Sequence, residues 1–522
     1  MIVRSKIFPS KIDELSAKRK SEILNAADDV KISGTAYYVS NDGDDNNDGL
    51  SPSTSWRTVG RVSDANLKSG DAVLFRRGDT FRGTVYTRSN VTYAAFGSGD
   101  KPKLFSWDKN LASPELWEEF DAANHIWKLK ETTLDVGTLV FNDGEFHSRK
   151  HIPTYIGGKF VCRDDESKDF VISRELNEDL DIYWHFDKTL TSRPSPKPGV
   201  PYSEMEDSEA EENDEENFPV PDVVDAYGEL YLKCDKGNPA EAFSSIEALA
   251  RRFGFAVGDN EGVRIDNFCI KYIGCHGVAA VGKCVSGLTV TNCEIGWIGG
   301  VIHQYFGTDP NYPQGHRGTV GRFGNGIEIY GGCKDYTVKN CYIYQCYDAA
   351  ITHQRTSGGE TVLMHNVSYT DNLVEKCVYS IEYFLEMTCG DRESEMRNVK
   401  MSGNILREAG YGWGQQRHNK HTPAHIKGWS FTNRAFDYSI FNNIFDRSAF
   451  RMLHLVAEKE EYCPIMRNNV YVQHLGGMLG QYGGNEAAEP PIIMFDERVE
   501  DSISNVLKDE GAEIYVLDSS EN

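Results

Sequence analysis

Six times in the second half of the chain an asparagine opens a short β-rich segment that reads like its predecessor. The copies are TNCEIGWIGGVI from Thr291, KNCYIYQCYDAAI from Lys339, DNLVEKCVYSIEY from Asp371, GNILREAGYGWG from Gly403, NNIFDRSAFRML from Asn442 and NNVYVQHLGGML from Asn468. A weaker seventh copy, DNFCIKYIGCHGVAAV, begins at Asp266. A unit that recurs every few tens of residues and cannot bury its own apolar face must stack on its neighbours. Short strands, with an inward asparagine at one turn and small or aromatic residues at the next, predict an all-β, right-handed parallel β-helix. In such a solenoid, corresponding residues of successive copies lie about 4.8 Å apart, so aligning the copies becomes a statement about space.

The chain has 522 residues, a length that a solenoid reaches easily because it grows in one dimension. A net charge of −24 argues against nucleic acid as a partner and weakens the case for polyuronate substrates. The N-terminus, MIVRSKIFPSKIDELSAKRKSEIL, lacks an apolar signal core, and no stretch approaches the length of a transmembrane helix. The expectation is a cytoplasmic protein with twelve reduced cysteines, several filling repeat strands, and no membrane partner. No Cys or His spacing suits structural zinc.

Composition shifts divide the chain. Residues 1–35 hold an amphipathic helix near 10–26, beginning with a capping-box-like Ser10 and Asp13, and form an N-terminal cap. Residues 36–106 alternate apolar and polar positions between Gly and Asp turns, as opening rungs would. Across 107–242, segments such as HIWKLKE, DIYWHFD and GELYLKCD, with the turn Asn142-Asp143-Gly144, predict an inserted β-sandwich-like domain. Its acidic stretch 203–217 reads as a solvated surface loop. The main helix runs over 243–480 and is interrupted by the long excursion YFGTDPNYPQGHRGTVGRFGN. A cap over 481–522 closes the open end. In this reading the repeat asparagines are Asn292, Asn340, Asn372 and Asn404.

The repeat places carboxylates. In GNGIEIYG, Ile327 and Ile329 point inward and Glu328 outward; in YSIEYF, Ile381 and Tyr383 point inward and Glu382 outward. In YDAAITHQ, Ala349 and Ile351 are expected inside, which puts Asp348 outside. Three acids on three consecutive rungs then share one outer face, and their repulsion raises the pKa of at least one. Glycosidic bond cleavage needs this: one protonated carboxyl as acid, one ionised carboxylate as nucleophile or base. Asp348 and Glu382 are expected roughly 8 Å apart at Cα, and side chains leaning together would reach the roughly 5–5.5 Å of retaining enzymes. Asp348 is the expected nucleophile and Glu382 the acid/base. Glu328 tunes the pair or binds a hydroxyl, and Glu328 with Asp348 is the alternative pairing. His303, Gln304, His353, Gln354, Arg355, Trp413 and Gln415 are candidate sugar-binding residues, since aromatic faces stack on C–H groups and polar groups bond hydroxyls.

Other motifs are less specific. His418, His421 and His425 cluster, but Pro423 interrupts any helical face and no acid completes a metal set, so no catalytic metal is expected. Asp44, Asn46, Asp48 and Gly49 match half of an EF-hand loop, with Ser55 where a glutamate is required. A turn is the better reading, with a structural calcium ion the only cofactor left open.

YYVSNDGDDNNDGLSPSTSWRTV with SGDAVLFRRGDTFRG, then GNPAEAFSSIE, then GNGIEIYGG with NCYIYQCYDAAITHQ, resemble carbohydrate-active parallel β-helix proteins. Among these, the β-xylosidase family of β-helix glycoside hydrolases is the most similar in domain order. The resemblance implies an Asp and a Glu on the helix face, carried over to Asp348 and Glu382 with Glu328 in support. The expected function is therefore an exo-acting glycoside hydrolase on short neutral oligosaccharides, xylo-oligosaccharides among them, with a homo-oligomer that would complete the cleft wall left open. Two alternatives stand beside it: a polysaccharide lyase using Arg355, Lys376 or Arg392 as base or charge neutraliser, and a non-catalytic sugar-binding solenoid.

Overall fold

The computed structural model describes residues 8–28, 30–156, 158–186, 189–194, 217–305, 320–417, 422–428, 433–486 and 488–517. They form a three-faced right-handed parallel β-helix. One face runs from Ala36–Val39 through Ala72–Arg76, Thr92–Phe96, Arg264–Asp266 and Thr289–Thr291 to Ile465–Arg467. A second stacks Val278–Ser286, Ile327–Lys339, Ala349–Thr356, Tyr379–Glu386, Ala424–Gly428, Arg451–Ala457 and Met478–Gly484 in parallel. The third carries Cys269–Ile273, Glu294–Ile298, Tyr342–Cys346, Leu373–Glu375, Ile405–Ala409, Ile444–Ser448, Val470–His474 and Glu513–Leu517. The inward side chains make one continuous apolar core along the coil.

Both ends of that core are covered. At one end the short helix Val59–Asp64, N-capped by Thr58, lays Val59 and Val62 on it. At the other, Val499, Ile503 and Leu507 do the same. Blocking the ends matters because an uncovered last rung would offer unpaired backbone to another chain. The helix Phe8–Leu24 does not cap an end. It lies along the outer side of the third face, with Ile12 and Ile23 against Tyr342, Leu373 and Tyr515. No helix among the described residues is long and apolar enough to cross a membrane, and all twelve cysteines are unpaired.

The insertion enters between two rungs that pair directly: Thr92–Phe96 with Arg264–Asp266, and Lys103–Phe105 with Cys269–Ile273. Between them, Trp117–Asp121, Ile126–Leu129, Tyr227–Lys233 and Asp181–Phe186 form an antiparallel sheet. Its apolar side, with Leu129, Ile182, Trp184 and Leu230, shares a core with Val136–Phe141 and Ile246–Ala250, a strand pair at the margin of the third face. The strand Val301–Tyr305, paired antiparallel with Val320–Phe323, contributes Ile302, Tyr305 and Val320 to the same core. The insert and these two strands thus pack together beside one stretch of solenoid; the rest of the excursion, 306–319, lies outside the described residues.

The asparagine register differs by one residue from the sequence alignment. Asn292 and Asn340 do not belong with Asn372 and Asn404. They occupy the preceding position, shared with Asp371, Gly403, Asn442 and Asn468, where φ is +51° to +69°. Asn and Gly tolerate that left-handed turn conformation better than other residues. The next position holds the buried ladder, Asn372, Asn404, Asn443 and Asn469, with Cys293 and Cys341 in the earlier rungs. Each ladder amide donates to the following one: Asn372 to Asn404 at 3.0 Å, Asn404 to Asn443 at 2.9 Å, Asn443 to Asn469 at 3.1 Å, ending on Asp509 at 2.8 Å. The same amide oxygens accept the backbone N–H groups of Cys341, Asn372, Asn404 and Asn443, each at 3.0 Å.

The ladder predicts a contrast. Asn404→Ala strands buried groups on two neighbouring rungs and should cost about 3 kcal/mol, at about 1–3 kcal/mol per unsatisfied group. Asn398→Gly, in the exposed ladder from Asp335 through Asn366, keeps the left-handed backbone and should cost under about 1 kcal/mol. Urea midpoints of the two variants check this.

Candidate active site

The second face sets the site. Register pairs Ile327 with Ile351, Ile351 with Ile381, Ile381 with Ile426 and Ile426 with Leu453, all in the interior core. One residue along, therefore, a single outward row runs Glu328, Thr352, Glu382, Lys427, His454, Gln481. Glu328 and Glu382 face outward as expected, two rungs or about 9.6 Å apart at Cα. Asp348 lies at the corner that leads into the intervening rung. Its carbonyl accepts from Val378 and Tyr379 N–H, and its own N–H donates to Gly324 O. The corner corrects one expectation: Ala350, not Ala349, joins the interior with Ile351, while Ala349 packs outside with Val378, Tyr379 and Ala424.

The three acids have different surroundings. Glu328 is buried and saturated with donors: Asn325 at 2.6 Å and Thr352 on Oε2, Gln354 at 2.9 Å on Oε1. Burial raises its pKa and outweighs the lowering by those three bonds, with Asp348 adding to the rise. Asp348 is ion-paired to Arg417. Glu382 is 6% exposed, with Lys427 Nζ 3.5 Å from Oε1. Burial, helped by Asp348 and Glu328, pushes Glu382 up to about 7 against the opposing pull of Lys427 and Arg417. One carboxyl that holds its proton near neutrality thus faces one held in an ion pair.

Asn325 stitches the rungs together. Its amide donates to Glu328, its oxygen accepts Ala349 N–H at 2.7 Å, and its backbone N–H donates to His276 Nδ1 at 3.0 Å. That last bond leaves the His276 proton on Nε2. Burial pushes His276 down to about 3, so the ring is neutral although Asp348 favours its charged form. Lys427 also donates to Tyr379 Oη at 3.0 Å and lies 4.1 Å from that ring centroid.

The proposed sugar-binding residues divide. Gln354 is in the recess, bonded to Glu328, and Arg355 lies over Tyr330 of the neighbouring strand. His303 is exposed and packs edge-on against Phe323, which in turn contacts His276. Gln304 pairs with Gly321 in the same two-stranded ribbon. His353 corrects the reading: it points into the coil, bonded to Tyr369 Oη at 2.8 Å and stacked on Tyr383, where no sugar reaches. Trp413 is buried, donates Nε1 to Gln345 O at 2.7 Å and packs on Tyr347, forming the wall behind the site instead of a stacking platform. Gln415 is exposed and turns back to Gly410 O. Of the histidine cluster, His418 and His421 lie outside the described residues, and His425 is interior, bonded to Ser380. Asp44 and Asp48 accept from amides of their own loop, Asn46 and Leu50.

Arg417, Lys427, His276 and Asn325 escaped the sequence reading. A signal for Lys427 was present: Ile-Glu, Ile-Thr, Ile-Glu, Ile-Lys and Leu-His recur as apolar-polar pairs at 327, 351, 381, 426 and 453. Nothing in the sequence marks Arg417, which reaches Asp348 from a connecting turn.

No protein-family model matches the chain, and no curated protein matches it. Solved structures resemble it weakly. The GH136 lacto-N-biosidase from Eubacterium ramulus is 13% identical with a TM-score of 0.41, covering 98% of this chain and 70% of that one. XylC in complex with xylose is 10% identical with a TM-score of 0.41, covering 92% and 83%. The polygalacturonase from Erwinia carotovora ssp. carotovora is 8% identical with a TM-score of 0.29, covering 94% and 97%. At these scores the likeness carries no weight for activity, which rests on the recess itself.

Because Glu382 takes up a proton on folding, its contribution to stability falls as pH rises from the ordinary 4.5 to about 7. Glu382→Gln removes that dependence. The melting temperature of the variant minus that of wild type should be near zero at pH 5 and rise by about 2 °C at pH 8, measured by calorimetry in matched buffers.

Proposed function

We propose that the chain is a glycoside hydrolase that cleaves short oligosaccharides between Asp348 and Glu382. The observation that carries this reading is the divergence of two carboxyls in one recess: Glu382 pushed up to about 7, Asp348 paired with Arg417. Glu382 donates its proton to the glycosidic oxygen as the bond to the anomeric carbon breaks. Asp348 attacks that carbon from the other face and forms a glycosyl ester, displacing the leaving alcohol. Glu382, now ionised, takes a proton from water; the resulting hydroxide attacks the anomeric carbon and frees Asp348. Arg417 balances the Asp348 charge before attack and after release. Glu328 contacts no reacting atom here. It fixes Asn325 and Thr352 and, through Asn325, the corner that carries Asp348.

Arg417 is engaged by Asp348, and Lys427 donates to Tyr379 Oη at 3.0 Å. The pairing of Arg417 favours a neutral sugar ring at the point of cleavage, xylose among the candidates, because that cation is not open to a uronate there. The same pairing disfavours a lyase, which needs a free charge neutraliser. The paired strands Val301–Tyr305 and Val320–Phe323 share a core with the insert, which fits a cleft walled on one side and open to chain ends.

A panel of aryl glycosides, β-xylosides first, tests the reading. Asp348→Asn and Glu382→Gln should each lose about 10² or more in kcat on substrates with poor leaving groups. With a dinitrophenyl leaving group, which needs no acid, Glu382→Gln should retain bond cleavage while Asp348→Asn does not. The wild-type rate should fall above pH 7 as Glu382 loses its proton. Wild-type inactivity on every glycoside, or ultraviolet-absorbing unsaturated products from uronate polymers, would overturn the assignment.

A further inference from the structure

Two carboxyls and two cations meet in the recess, and the reaction cycle moves one negative charge between the carboxyls. Before cleavage Asp348 is ionised beside Arg417, while Glu382 holds its proton. When Glu382 protonates the leaving oxygen and Asp348 forms the glycosyl ester, Asp348 becomes neutral and Glu382 becomes the anion. The total charge of the recess is unchanged, but its position is not. Arg417 balances the charge at the start of the cycle. A different group must balance it in the middle, because a carboxylate buried without a counter-charge is strongly disfavoured.

The parallel register decides which group stands next to Glu382. Its neighbours on the outward row are Thr352 on the rung before and Lys427 on the rung after. Thr352 is neutral, and its hydroxyl donates to Glu328. Lys427 is part-buried, with Nζ 3.5 Å from Glu382 Oε1, and it donates to Tyr379 Oη at 3.0 Å. Tyr379 is anchored in turn, its backbone N–H donating to Asp348 O at 3.2 Å. A separation of 3.5 Å is close enough to pair, yet longer than the roughly 2.7–2.9 Å of a charge-assisted hydrogen bond, so the contact has room to tighten. Beyond Lys427 the row continues with His454, which is neutral: burial pushes it down to about 3, helped by Arg451 and Lys427. The other charges that face Glu382 are Asp348, Arg417 and Glu328. Only Arg417 among those three is positive, and it is ion-paired to Asp348.

We propose that Lys427 is a positioning residue that becomes the counter-ion of Glu382 in the glycosyl-enzyme, held ready by Tyr379 while Glu382 is protonated. This rests on the glycosidase reading and deepens it. Lys427 touches no reacting atom in this role and neither gives nor takes a proton; it acts through Glu382. An interaction that strengthens only as the proton leaves Glu382 assists the reaction without stabilising its starting point. Ionised Glu382 is also the base that the second half of the cycle needs. Lys427 therefore serves hydrolysis of the glycosyl-enzyme more than its formation, which requires the protonated form.

Lys427→Gln in full-length protein tests this, with Lys427→Arg as the conservative partner. Removing a positive charge at this range should move the midpoint of the carbonyl-stretch infrared band of protonated Glu382 up by about 1 pH unit or more, and Lys427→Arg should bring it back to within about half a unit of wild type. On a dinitrophenyl glycoside, Lys427→Gln should release about one equivalent of dinitrophenol in a burst and then turn over about tenfold more slowly than wild type. On glycosides with poor leaving groups, the alkaline fall of kcat/KM should move upward with the infrared midpoint. A lysine that only held the fold would slow both half-reactions together and leave the midpoint in place. Lys427→Met, which keeps the aliphatic stem against Tyr379, takes the same measurements should the glutamine variant not fold. An unmoved midpoint, a loss confined to KM, or equal losses in burst and steady-state rates would overturn the proposal. Inactivity of wild type on every glycoside with the midpoint still shifted would instead sink the hydrolase reading and leave the coupling of Lys427 to Glu382 standing.

Discussion

The structure depends on one constraint, the parallel hydrogen-bond register of the second face. Once Ile327, Ile351, Ile381, Ile426 and Leu453 are locked side by side in the interior, the next residue of each rung has no choice of direction. The outward row of Glu328, Thr352, Glu382, Lys427 and His454 follows from that burial. A slip of one residue would put two glutamates into the apolar core and isoleucines into water. The asparagine ladder guards against such a slip, since each amide fits only when its neighbour is in phase.

The chemistry of the recess comes from unequal treatment of like groups. Glu328 is surrounded by donors and reads as a fixed strut. Glu382 is buried with a single lysine 3.5 Å away and keeps its proton to about neutrality. Asp348, at a corner and less buried, is paired with an arginine from a distant turn. Three rungs that look alike in sequence thus carry three carboxyls of different character, and the difference lies in what surrounds each one.

Much of the fold was legible because solenoid repeats expose their period directly. The outward placement of Glu328 and Glu382 followed from apolar alternation alone. Two residues depart from the sequence expectation for different reasons. Ala349 packs outside because alternation breaks at the corner, where Ala350 and Ile351 both turn to the core, whereas His353 is interior because alternation from Ile351 onward holds. Asn292 and Asn340 were aligned with the ladder because the left-handed turn position also favours asparagine, so two physical demands for one residue type stood side by side. Arg417 could not be read at all, because it reaches the recess from a connecting turn whose path the repeat does not dictate.

The claim at the centre of this account is that Glu382 stays protonated near neutrality in the recess it shares with Asp348. Infrared difference spectra between wild type and Glu382→Gln, taken across pH 4 to 9, measure it directly through the carbonyl stretch of the protonated acid. A band that is present in wild type, absent in the variant, and fades with a midpoint near pH 7 is the predicted result. A midpoint near the ordinary carboxylate value of 4.5, or no band assignable to Glu382, would contradict the account.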